Sequence, residues 1–112
     1  MLETSPIYAS LHSKVDAGKK LSDEDFSQLY RLLREVLPGF SQFITNKKYS
    51  LNEAEYNTCV LFRLHVKAFG AGVVLGKSPA AITKISKSVM MKLFRENGNS
   101  RELIEKLQAI SE

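Results

Sequence analysis

The sequence predicts an all-α fold, a helical bundle, and three observations carry that prediction. Apolar residues recur at three- and four-residue intervals along nearly the whole chain. No stretch alternates in the manner of a half-buried strand. Serine caps, prolines at first helical positions and glycine stops divide the pattern into helix-length pieces. The 112 residues, 44% apolar and 25% charged, suffice for a single domain, 1–112, with a modest core.

The elements follow in order. Pro6 to about Val15 forms a first helix with Ile7, Leu11 and Val15 on one side, before a polar turn. Ser22 caps a second helix, with Asp23, Glu24 and Asp25 in its first turn where the helix dipole favours acid. Its apolar stripe is Phe26, Leu29, Leu32, Leu33 and Val36. Leu37-Pro38-Gly39 interrupts it, and Phe40, Phe43 and Ile44 lie on a short third helix ending near Asn46-Lys47-Lys48. Ser50 and Glu53, three residues apart, read as a capping box that opens a fourth helix running to about Leu64. Tyr56, Cys59, Val60 and Leu64 form its expected core face. A short helix from about Ala68 to Leu75 stops at Gly76. Ser78 caps the next helix, Pro79 occupies its first position, and it runs to about Phe94. Asn97-Gly98-Asn99-Ser100 is a break before a last helix with Leu103, Ile104, Leu107 and Ile110 at helical spacing. Residues 1–49 are expected to be a helical support for residues 50–112.

Composition excludes several functions. No apolar run is long enough to span a membrane, and the N-terminus lacks the pattern of a secretory signal. One cysteine and two histidines do not build a usual structural zinc site. No catalytic triad ordering is visible, so no enzyme, metal or cofactor is expected. The stretch GAGVVLGKS fits no phosphate loop: from Gly70 the second glycine position holds Leu75, and from Gly72 the gap to Gly76 is too short. Cys59 falls on an apolar face as a core residue. His65 reads as a helix-end or surface histidine, His12 as solvent-facing, and Phe69 and Val73 as covered by the helices that carry Phe40 and Phe43. A cytoplasmic protein without membrane contact is the expectation.

Charge is unevenly placed. Residues 1–55 carry 7 Lys/Arg and 8 Asp/Glu, whereas residues 56–95 carry 7 Lys/Arg and no acid. A positive block of this kind attracts polyanions, nucleic acid first. Within it, Gly72, Gly76 and Ile82 match the demands of a helix-turn-helix in order. A small residue is needed where two helices cross, a residue tolerant of positive φ in the turn, and an apolar residue facing inward on the second helix. Ala71, Leu75 and Ile85 fill the accompanying core positions. The second helix, about 79–94, is then a recognition helix lying in the major groove. Its inward face is Ile82, Ile85, Val89 and Leu93, and its groove face is Pro79, Ala80, Thr83, Lys84 and Lys87. Thr83 and Lys84 are placed to touch base edges. Arg63, Lys77, Lys87 and Lys92 are candidates for phosphate contacts, and the helix start at Ser78 offers backbone N–H groups. So few cations bind weakly alone, which calls for dimerisation or another domain.

The pieces SLNEAEYNTCVLFRLHVK, VVLGKSPAAITKISKSVMMKLF and the short helix from Arg101 resemble the LuxR-type helix-turn-helix, which is of the sigma-factor region-four kind. The resemblance is to the C-terminal domain of Bacteroides-type transcriptional regulators, and with the upstream helices it covers nearly the whole chain. It implies double-stranded DNA as partner and a homodimer supported by Leu103, Ile104, Leu107 and Ile110. It also implies an upstream sensory or tetratricopeptide domain in a longer chain. The sequence departs from the family pattern in two places. Gly70-Ala71-Gly72 replaces Glu-Ile-Ala, with Lys67 at the cap, and Ser86 and Ser88 stand where the family carries arginines. Those serines motivate an alternative: a protein-interaction or dimerisation module whose degenerate helix-turn-helix no longer binds DNA.

Overall fold

The computed structural model describes residues 2–110. Among them are seven α-helices and no strand. They are α1 (Pro6–Ala17), α2 (Asp23–Val36), α3 (Pro38–Ile44), α4 (Glu53–Arg63), α5 (Ala68–Leu75), α6 (Pro79–Phe94) and α7 (Ser100–Gln108). Short 3-10 turns occupy Leu2–Thr4 and Lys47–Tyr49.

Local chemistry sets most of the boundaries. Gly18 ends α1 in the left-handed conformation, two residues beyond the expected end. Ser22 caps α2 by accepting from the Asp25 amide, and the Asp25 carboxylate returns the bond to the Ser22 amide at 2.9 Å. Pro38 at the first position of α3 forces the chain to restart after Leu37. The cap of α4 differs from expectation. Ser50 has a φ of 52°, in the left-handed region, and closes the preceding 3-10 turn. Asn52 takes the extended cap conformation instead: its side chain accepts from the Glu55 amide at 2.8 Å, and Glu55 accepts from the Asn52 amide at 2.9 Å. Both pairs have the same spacing, and only the backbone of Asn52 suits a cap. Asn99 and Glu102 form the same box on α7.

The core is organised around α4, which packs against α2, α5, α6 and α7. Its Cys59, Val60, Leu61 and Phe62 are fully buried, and they meet Leu29 and Leu33 of α2, Ile82, Val89 and Met90 of α6, and Leu103 and Leu107 of α7 in one hydrophobic cluster. The N-terminal helices reach the later ones directly. Helix α1 packs on α5, the Leu21 amide donates to the Val74 carbonyl at 3.0 Å, and His12 Nε2 lies 3.0 Å from the Leu64 carbonyl oxygen. His12 is therefore not solvent-facing. It is half-buried, with Tyr8 beside its ring, because it closes the open carbonyl at the end of α4. No helix among the described residues is long and apolar enough to cross a membrane.

Candidate nucleic-acid interface

The basic block centres on the junction of α5 and α6. Gly76, Lys77 and Ser78 join the two helices. Gly76 has a φ of 68° and terminates α5, a conformation that costs most side chains energy. The Lys77 amide donates back to the Gly72 carbonyl at 2.8 Å. A Cβ on Gly72 would stand 2.8 Å from the Lys77 carbonyl oxygen and 3.5 Å from Ile82 Cγ1, so only glycine allows the approach. Ile82 is buried beneath this junction. Ser78 Oγ accepts from the Ala81 amide at 3.1 Å and Pro79 starts α6.

This construction presents one face of α6 to solvent. Ala80, Thr83, Lys84 and Lys87 follow the i, i+3, i+4, i+7 spacing of a single helix face and are all exposed, as are Lys77, Ser78 and Pro79 at its start. Among the described residues no carboxylate pairs with Lys77, Lys84 or Lys87. The Thr83 hydroxyl donates to the Pro79 carbonyl at 3.0 Å, which leaves its methyl group and its oxygen lone pairs as the groups it offers outward.

Two of the expected phosphate contacts lie elsewhere. Lys92 Nζ is 2.7 Å from Glu55 Oε1 and 3.1 Å from the Ser50 carbonyl, so its charge is held by the capping box of α4. Arg63 is half-buried with its guanidinium 5.8 Å from the centre of the Phe40 ring. It lies against α3 rather than beside the start of α6, and its Nε is buried without a partner among the described residues. The serines at the expected arginine positions are structural too. Ser86 is fully buried and shares a 2.7 Å hydrogen bond with Ser100 of α7. The Ser88 hydroxyl donates to Glu55 Oε2. Burial would raise the Glu55 carboxyl, but the bonds from Lys92, Ser88 and the Asn52 amide outweigh it and hold the pKa below the ordinary value.

The expected dimer residues divide. Leu103 and Leu107 are fully buried in this chain's own core and are not available to a partner. Ile104 and Ile110 are half-exposed. Cys59 is a core thiol, and burial pushes its pKa up. His65 stands exposed just past α4 with a φ of 69°, its Nδ1 at 3.3 Å from Gln108 Nε2. Phe69 is 77% exposed, contrary to the expectation that the α2–α3 region covers it. Phe43 stacks on Phe94 instead, and Phe40 lies under Arg63. The sequence of α5, AFGAGVVL, contains no polar residue, so periodicity carried no information about which side faces outward. Val73, beside Phe69, lines a groove between α5 and α6 together with Pro79 and Ile82.

No protein-family model matches this chain, and no curated protein or solved structure matches it either. The family resemblance rests on the sequence motifs alone.

Proposed function

We propose that this chain is the DNA-binding domain of a transcriptional regulator, with α5 and α6 as a helix-turn-helix and α6 as its recognition helix. One observation carries the reading: the exposed, acid-free face of Ala80, Thr83, Lys84 and Lys87, led by Lys77 and a capped helix start. Lysines on one helix face match the spacing of groove and backbone contacts, and the Ala80 N–H of the first turn, where Pro79 has none and the Ala81 amide bonds Ser78 Oγ, is the backbone donor left for a phosphate. Three unpaired lysines give modest affinity, so a homodimer is part of the proposal, with Ile104 and Ile110 as the half-exposed residues of the last helix region. A regulator of this kind works in the cytoplasm on double-stranded DNA, behind an upstream sensory or tetratricopeptide domain in the resembling family.

The exposed Phe69 favours a second reading, a protein-interaction module that does not bind DNA. Anisotropy of a labelled duplex at low salt separates the two. The first reading expects binding that weakens steeply with salt and disappears in the Lys84→Glu, Lys87→Glu double variant. Unchanged binding in that variant overturns the placement of the recognition helix. Absence of duplex binding by the parent chain, with a stable complex formed through Phe69, establishes the second reading.

A further inference from the structure

We infer that the groove between α5 and α6 takes an apolar side chain from an acidic amphipathic helix of another protein, and that its occupancy keeps duplex DNA off α6. The groove is a concavity of about 230 Å³ whose lining includes Phe69, Val73, Lys77, Pro79, Ile82 and Thr83. Phe69 forms one wall and is one of two large apolar side chains left exposed among the described residues. An exposed aromatic beside an apolar hollow is the arrangement that receives an anchor residue from a partner helix.

Charge selects the partner. Among the described residues no carboxylate lines the groove; Lys77 lines it, and the exposed Lys67 and Lys84 are chain neighbours of its lining residues Ala68 and Thr83. Glutamates or aspartates flanking the anchor would meet them with complementary charge. A second copy of this chain would bring the same lysines against these, and like charges oppose that association. A duplex would satisfy the lysines and leave the hollow unfilled, since its largest apolar projection in the major groove is a thymine methyl. Lys77 and Thr83 belong both to the groove and to the proposed DNA face, so one occupant excludes the other. That exclusion rests on the DNA-binding reading, whereas the docking itself does not.

The test uses the whole chain and a fluorescein-labelled peptide with leucines at i, i+3, i+4 and i+7 and glutamates elsewhere. Its control is an isomer of the same composition with the leucines scattered. The expected result is binding of the first peptide only, weakened about tenfold or more by Phe69→Ser and by Lys77→Glu. The bound peptide should also displace a duplex, while Phe69→Ser leaves duplex affinity unchanged. Equal binding of both peptides, or binding indifferent to Phe69→Ser, overturns the proposal. So does self-association through Phe69, seen by sedimentation, which assigns the groove to a second copy. Loss of duplex affinity in Phe69→Ser assigns it to DNA. Peptide binding without any duplex binding leaves the docking standing and removes only the exclusion of DNA.

Discussion

Lys92 of α6 holds the buried carboxylate of Glu55 of α4 at 2.7 Å. The same carboxylate closes the α4 capping box through the Asn52 amide and accepts from Ser88. One glutamate therefore fixes the start of α4 and the position of the middle of α6. The exposed lysines of α6 inherit their placement from this joint and from the Gly72 crossing at the other end of the helix.

Lys92→Met is expected to destabilise the fold by roughly 1–3 kcal/mol, because it leaves Glu55 buried without its charged donor. Urea unfolding reads the loss as a lower midpoint at unchanged slope. The salt dependence of duplex binding should stay as in the parent chain, because the ammonium is not part of the DNA face. A shallower salt slope in this variant would return Lys92 to the list of phosphate contacts.

Stability should fall in acid. The Lys14 ammonium, 2.6 Å from Asp25, together with the Ser22 amide, holds the Asp25 pKa below its ordinary 3.8, and Glu55 lies below its ordinary 4.5. Both carboxyls have lower pKa values folded than unfolded, so the unfolded chain binds protons first as the pH drops. Their contribution is fully present above the ordinary values and is lost as the pH falls through the folded ones. Thermal melts from pH 7 to about pH 2 should show the decline, and Asp25→Asn should flatten it. An acid limb as steep in that variant as in the parent chain would remove Asp25 as a contributor.

Gly72→Ala tests the junction. Alanine gains about 1 kcal/mol in intrinsic helix propensity. Its methyl would meet a backbone oxygen 2.8 Å away, and overpacking of this kind costs roughly 1–3 kcal/mol. The net expectation is a lower melting temperature and weaker duplex binding, since the start of α6 must shift. A melting temperature at or above that of the parent would show that the two helices separate without cost.

Lys77→Ala is expected to weaken duplex binding by a similar factor on every sequence and to reduce the salt slope by about 1, from about 3 per chain for Lys77, Lys84 and Lys87. Titrations at several salt concentrations measure it. A loss confined to one target sequence would make Lys77 a base-reading residue.

By itself the sequence determined the order, number and approximate limits of the helices, because those depend on signals within a few residues of one another. Ser22, Pro38, Gly76 and Ser78-Pro79 each act on the adjoining turn, and the stripe of α2 names its own buried face. The spacing of Gly72, Gly76 and Ile82 also located the junction correctly. Tertiary structure decided which charges are free and which apolar side chains remain uncovered. Lys92 and Lys87 look alike in sequence, yet Lys92 meets an acid that lies 37 positions away in the chain. Ser86 and Ser88 look like vacant DNA contacts, yet they bind Ser100 and Glu55. Phe69 looks like core in a helix without polar residues, yet it stands 77% exposed. Pairing and coverage depend on distances between elements, and no local pattern of residues encodes those distances.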